Sequence, residues 1–128
     1  PLIAQFEKVR NHYGINKMGQ VGALVAVQDQ DYLVQAVAKI AASRDRIMVI
    51  AKENGLLPIP SAANFVTIDC GRDAVFAARV LEELLARGVF ARKPGVPPLD
   101  RCIRISCGRD EDLDVLARVL PEALRATL

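Results

Sequence analysis

The chain has 128 residues, of which 52% are hydrophobic and 25% charged, a composition typical of one folded domain rather than a disordered segment. Seventeen basic and fifteen acidic residues leave a net charge of +2, and these charges are scattered. This balance argues against a nucleic-acid-binding surface, which needs clustered positive charge, and no apolar run reaches the ~18 residues of a membrane span.

The first half of the chain carries helical patterns. Apolar residues recur at helical spacing over 2–10. The segment 20–27 is apolar on all sides, which predicts a helix covered on more than one face. Asp29 or Asp31 can cap a long amphipathic helix, and Gly55 is expected to end it.

Short strands and helices alternate in the second half. Alternation over 64–70 predicts a strand. Asp73 is expected to begin a helix that ends at Gly88, and a short strand over 89–92 follows it. The segment 93–98 holds three prolines in six residues and is therefore a loop.

The C-terminal part combines a strand and a helix. Alternation over 102–107 predicts a strand in which Arg104 faces away from its buried neighbours. A final helix with leucines on one face follows, and Pro121 should kink or split it. The fold class is therefore α/β, a two-layer α+β arrangement with helices over one face of a small mixed sheet of three to four strands. The strands on either side of the 93–98 loop can pair antiparallel, and those flanking the preceding helix can run parallel.

Three cysteines and one histidine limit the possible chemistry. Cys70, Cys102 and Cys107 lack metal-ligand spacing and are expected to be reduced core residues of a cytoplasmic protein. Cys102 and Cys107 face opposite sides of one predicted strand and cannot bridge each other there. A single histidine, His12, argues against a His-based metal cluster within this chain, and in its loop it is expected to be an ordinary surface residue. We see no signal-peptide pattern, and expect no metal ion, nucleic acid or membrane as a partner.

Arg92 and Arg104 are the candidate binding residues. One ends a predicted strand, and the other lies in the middle of the next. If these strands pair, the two guanidinium groups converge on one anion, since arginine binds carboxylate or phosphate through parallel hydrogen bonds. From the residues alone, two solvated or salt-bridged arginines are the simpler interpretation. Asn64 lies at the start of a strand, and from the residues alone its simpler interpretation is that of a turn residue.

Several stretches together resemble a known family. These are QDQDYL (28–33), PSAANFV (60–66), LLARGVFARKPG (84–95) and CIRISCGRDEDLDVL (102–116). In this order and spacing they are similar to the C-terminal portion of aspartate-aminotransferase-fold enzymes that use pyridoxal 5′-phosphate, most nearly the histidinol-phosphate aminotransferase group. The resemblance extends from about Leu2 to Leu128, and its specific part is the pairing of Ala-Asn-Phe with a later Arg-Ile-Ser-x-Gly.

The resemblance implies roles for several residues. Arg104 would bind the acidic group of the substrate, and Arg92 would help to hold a substrate phosphate. Tyr13 and Asn16 would line the active site near a dimer interface, and Asn64 is a further lining candidate. No catalytic residue is expected in this chain, because the lysine that holds the cofactor in this family lies in an upstream Ser-Lys motif.

The resemblance also implies a domain arrangement. Residues 1–30 would be a helical linker from the large-domain junction, and 31–128 the small domain of the aminotransferase. Because Pro1 falls just beyond where the large domain should end, we expect a longer parent enzyme that is a cytoplasmic homodimer. The chain alone should be inactive, and apolar surface over 20–27 and the long helix should be exposed.

The implied reaction moves an amino group between an amino donor, such as histidinol phosphate, and a 2-oxo acid, with pyridoxal phosphate as cofactor. Two alternatives remain open at this point. One is a decarboxylase of phosphorylated amino acids, or an aromatic or aliphatic aminotransferase, with the same fold. The other is a free-standing α/β module that binds an anion and catalyses nothing.

Overall fold

The structure, a computed structural model, describes residues 2–11 and 14–128. The chain divides into two compact units, Pro1–Ala36 and Val37–Leu128. The first unit contains two helices and the start of a third: α1 (Leu2–Val9), α2 (Lys17–Gln28) and α3 (Gln30–Glu53), which continues into the second unit.

Local capping interactions explain where several helices begin. Asn16 caps α2, because its side-chain oxygen accepts a hydrogen bond from the Gly19 N–H at 2.8 Å. Asp29 accepts a bond from the Tyr32 N–H at 3.0 Å, so the predicted aspartate cap of α3 is confirmed. The apolar side chains of α2 are exposed, as the family resemblance implies, rather than covered on more than one face, as the pattern over 20–27 predicts. Five are more than half accessible: Met18, Val21, Leu24, Val25 and Val27.

The second unit packs helices on one face of a three-stranded sheet. Its elements after α3 are β1 (Leu57–Ile59), β2 (Phe65–Asp69), α4 (Ala74–Ala86), β3 (Cys102–Ser106) and α5 (Asp110–Thr127), with a short 3₁₀ turn just before β3. The strand order is β1-β2-β3. Asp73 caps α4 through a 2.8 Å bond from the Phe76 N–H, and Gly88 follows its end at a φ of +80°, both as predicted. The α/β fold class is confirmed.

The sheet differs from the predicted one in being wholly antiparallel. Both strand pairs, β1–β2 and β2–β3, are antiparallel. The segment 89–92 and β2 are each antiparallel to β3, so they run in the same direction, but β3 lies between them. The segment 89–92 and β2 therefore run parallel, as predicted, but they are not hydrogen-bonded neighbours in the sheet.

The predicted strand over 89–92 is reduced to one bridge. Only Arg92 pairs, by exchanging both backbone hydrogen bonds with Arg104. Two residues further on, Pro94 has no N–H to donate, which ends the pairing in that direction.

The hydrophobic core lies between the sheet and the helices. Side chains that alternate along β2 and β3 enter it, and they meet the buried faces of α4, α5 and the second half of α3. The largest fully buried members are Ile47, Val66, Ile68, Val80, Leu84, Ile103, Leu113 and Leu120. This packing uses one face of the sheet and leaves the other for polar groups.

Pro121 does not split α5, which was one of the two outcomes predicted for it. The helix continues from Asp110 to Thr127 with the proline inside. Buried leucines before Pro121, and the small buried residues Ala123 and Thr127 after it, hold the helix on the core. This packing outweighs the cost of about 3 kcal/mol for an internal proline. Within residues 2–11 and 14–128, no helix is long and apolar enough to cross a membrane.

Candidate functional site

The face of the sheet opposite the core brings the candidate residues together. In the β2–β3 register, Thr67 lies opposite Arg104, and Phe65 lies opposite Ser106. Directly opposed residues project from the same face, so Phe65, Thr67 and Arg104 share it. Their chain neighbours in the same strands point into the core.

Arg92 meets Arg104 from the other edge of β3. The Arg92 N–H donates to the Arg104 carbonyl at 3.1 Å, and the Arg104 N–H donates to the Arg92 carbonyl at 2.7 Å. The two arginines line a cleft of about 240 Å³ together with Lys93 and Pro94. The structure therefore unites the two arginines that the sequence singled out, while their role in substrate binding stays a prediction.

An aromatic ring supports the Arg104 guanidinium. The guanidinium carbon lies 4.6 Å from the centre of the Phe65 ring, well inside the range of a cation–π contact. Both side chains are half-buried. Because the N–H donors of a guanidinium lie in its plane, a ring against one flat side orients the group and leaves the donors free for a planar acceptor.

The cleft carries positive charge that no carboxylate neutralises. Among the residues that the structure describes, no acid lines the cleft, and the side chains of Arg92, Lys93 and Arg104 form no ion pair. Other arginines do pair: the Arg101 Nε donates to Asp69 at 3.0 Å. The described residues therefore show no salt bridge for Arg92 or Arg104, and solvated arginines and an anion site both stay open as interpretations.

The remaining candidates occupy different places. The Asn64 carbonyl accepts a 2.9 Å bond from the Cys107 N–H beyond the end of the β2–β3 ladder, and Asn64 does not line the cleft. Asn16 lies in the first unit, where it caps α2. Tyr13 lies outside the described residues. Within the second unit the structure thus joins Arg92 with Arg104 and leaves Asn64 outside their cleft.

The cysteines contribute to packing rather than to chemistry. All three are free, as predicted, and Cys70 and Cys102 are buried. Burial raises the pKa of Cys70 to about 11 and also raises the pKa of Cys102, so both stay protonated near neutral pH and are poor nucleophiles. In the described ranges, no group of three or more His, Cys, Asp or Glu side chains could hold a metal ion.

Two residues of the site escaped sequence reasoning. Lys93 was given no role in binding, although it directly follows Arg92. Phe65 was assigned to the alternation of its strand, and its place beneath Arg104 depends on cross-strand register. The parity of Phe65 within β2 is the one signal that could have suggested its face.

The second unit is a two-layer α/β domain, with helices on one face of an antiparallel sheet and two adjacent arginines on the other face. The chain belongs to the family of class I and II aminotransferases, whose sequence profile matches residues 1–120. This confirms the family resemblance of the sequence motifs.

Individual relatives fit the same assignment. The chain is 36% identical to a histidinol-phosphate aminotransferase of Roseiflexus castenholzii over 123 residues, which covers 94% of the chain and 33% of that protein. A histidinol-phosphate aminotransferase of Geotalea uraniireducens is 34% identical over 122 residues, or 94% and 34% of the two chains. The crystal structure of histidinol-phosphate aminotransferase from Sinorhizobium meliloti in complex with pyridoxal-5′-phosphate matches with a TM-score of 0.87 and 49% identity, and the match covers 97% of this chain and 34% of that one. The chain therefore spans about a third of the length of the relatives that it matches.

Proposed function

We propose that this chain supplies the substrate-anion anchor of a pyridoxal-phosphate-dependent aminotransferase. The reaction would move an amino group between an amino donor that carries an anionic group, such as histidinol phosphate, and a 2-oxo acid. The observation that carries the proposal is the cleft itself, where two backbone hydrogen bonds join the two arginines and where, among the described residues, no carboxylate competes for them. The names of the relatives support the choice of donor.

Arg104 would take the main part in binding. Its in-plane donors suit a bidentate contact with a carboxylate or phosphate, and the Phe65 ring limits the orientations that it can adopt. Arg92, which is exposed, would contact a further oxygen of the same group. Anchoring the acidic end of the donor would hold its Cα–H bond in position for cleavage. This contribution to catalysis is one of proximity and orientation.

Pyridoxal phosphate would supply the electron sink for cleavage of the Cα–H bond. The described residues do not fit the cofactor itself. Within residues 2–11 and 14–128, Lys93 is the one lysine that lines the cleft, and no carboxylate lines it that could pair with a pyridine nitrogen. We therefore assign the cofactor ligands to the part of the relatives that this chain does not span.

The domain arrangement and the partners follow the same proposal. Residues 31–128 would form the small domain and 1–30 the linker to a large domain, in a homodimeric enzyme. The free cysteines support a cytoplasmic location. The chain by itself would have no aminotransferase activity, because the proposal assigns the cofactor ligands to the part of the enzyme that the chain does not span.

Kinetics of the whole protein that contains this chain test the proposal. Arg104→Met should lower kcat/KM for histidinol phosphate about 100-fold, since losing a charge-assisted bidentate contact costs about 2–3 kcal/mol. Arg72→Met is the matched control, because Arg72 stacks on Phe76 at 4.7 Å and does not line the cleft. Unchanged kcat/KM for every acidic donor in Arg104→Met would refute the assignment. Release of carbon dioxide from a phosphorylated amino acid, without amino transfer, would instead identify a decarboxylase.

A further inference from the structure

We propose that Lys93 is a third ligand of the anion and makes the cleft selective for a phosphate dianion over a carboxylate. This inference rests on the proposed function, since it takes the cleft as the place where the acidic group of the donor binds. It goes beyond that function by naming the residue that sets which anion is preferred.

The composition of the cleft is the first observation. Three of its four lining residues are basic, namely Arg92, Lys93 and Arg104, and the fourth is Pro94. Lys93 is half-buried and, within the described ranges, its ammonium group has no carboxylate partner. Three like charges around one space repel each other, so a ligand with nearly two negative charges gains more than a ligand with one.

The backbone restricts where Lys93 can lie. Arg92 on one side is fixed by its two hydrogen bonds to Arg104. Pro94 on the other side restricts the preceding residue to extended conformations. Lys93 is thus confined between a paired residue and a proline, and its flexible four-carbon stem can bring the ammonium group to the ligand held by the arginines.

Charge and oxygen count decide between the two kinds of anion. A carboxylate brings one negative charge and two oxygens, which the fork of one arginine satisfies. A phosphate monoester has a second pKa of about 6, so near neutral pH it carries between one and two negative charges on three acceptor oxygens. Two arginine forks and one ammonium group offer donors to all three phosphate oxygens, and they leave less uncompensated positive charge around a phosphate than around a carboxylate.

Paired donors test the inference in the whole protein. With Lys93→Met, we expect kcat/KM for histidinol phosphate to fall about tenfold and kcat/KM for histidinol, which lacks the phosphate, to stay within about twofold. Inorganic phosphate, used as a competitive inhibitor, should bind about tenfold more weakly to the variant, while inhibition by acetate should not change. Lys93→Arg should recover most of the loss. Lys52→Met removes the same charge from the exposed end of α3 and should change none of these values.

Each outcome separates the two proposals. An equal loss with both donors would mean that Lys93 only supports the structure, and no loss with the phosphorylated donor would mean that it is not a ligand. Either result in Lys93→Met, beside a large loss in Arg104→Met, overturns the role of Lys93 and leaves the proposed function standing. No loss in Arg104→Met overturns the proposed function itself. Should Lys93→Met fail to fold by circular dichroism, Lys93→Gln replaces it, and the phosphate and acetate inhibition constants decide.

Discussion

The contact between Arg104 and Phe65 predicts a measurable coupling energy. A cation–π pair contributes about 0.5–1 kcal/mol at an exposed site and about 2 kcal/mol when desolvated. Here the guanidinium carbon lies 4.6 Å from the ring centre and both side chains are half-buried, which places the pair between these limits. We therefore expect a coupling of about 1 kcal/mol in the free energy of unfolding.

A double-mutant cycle isolates this energy. Phe65→Leu removes the flat ring and keeps an apolar side chain, and Arg104→Met removes the charge and keeps an unbranched stem. Urea unfolding of the chain, the two single variants and the double variant gives four free energies, whose non-additive part is the coupling. Phe65→Leu should be less destabilising by about 1 kcal/mol when Arg104 is already methionine.

The chain contains a matched control for this cycle. Arg72 lies 4.7 Å from the Phe76 ring, at nearly the same separation, but Arg72 is exposed. Its cycle, with Phe76→Leu and Arg72→Met, should give the smaller coupling of about 0.5 kcal/mol. A coupling below about 0.3 kcal/mol for Phe65 and Arg104 lies within the error of additivity. Together with unchanged m-values, that result would refute the idea that the ring holds the guanidinium.

Thiol labelling and acid titration test the surroundings of two other groups. At pH 8 an alkylating reagent should modify Cys107 well before Cys70, because burial raises the pKa of Cys70 to about 11 and leaves about a thousandth of that thiol ionised. Peptide mass spectrometry measures the two rates of modification. Equal rates in the native chain would contradict this prediction. Burial alone would raise the pKa of Asp69, but bonds from Arg101 and the Gly71 N–H outweigh it and lower that pKa. The stabilisation by Asp69 should therefore be complete above its unfolded pKa of about 3.9 and be lost as the pH falls through the lowered value. Asp69→Asn should have a lower urea midpoint than the parent at pH 7 and approach it in acid, and a difference independent of pH would show that the ionised carboxylate does not matter.

Helix ends could be predicted from the sequence because caps are local. Asp29 and Asp73 each accept a bond from an N–H three residues ahead, and that signal needs no knowledge of the rest of the fold. The strand β1 was missed for the opposite reason. Its three residues are Leu, Pro and Ile, so no alternation of apolar and polar residues marks them in the sequence. Pairing with β2 is what makes them a strand. The antiparallel order likewise depends on contacts between distant segments.

The candidate site divides along the same line. Parity within one strand placed Arg104 on the face away from the core, and the structure agrees, because Ile103 and Ile105 are buried on either side of it. The contact of Phe65 with Arg104, and the place of Lys93 in the cleft, could not be found in this way. A shift of one residue in the register of β2 would turn Phe65 into the core, and local alternation does not fix that register.

The two arginines of the cleft differ in how much freedom they keep, and this difference bears on their proposed roles. Their backbones are held together by two hydrogen bonds, so the spacing of their Cα atoms is set before any ligand binds. Their side chains differ: Arg104 is half-buried against Phe65, whereas Arg92 is exposed and stacks on no ring of the described residues. An ordered group binds with a smaller loss of conformational entropy than a free one. Under the proposed function, Arg104 would therefore fix the orientation of the acidic group, and Arg92 would adapt to donors of different length.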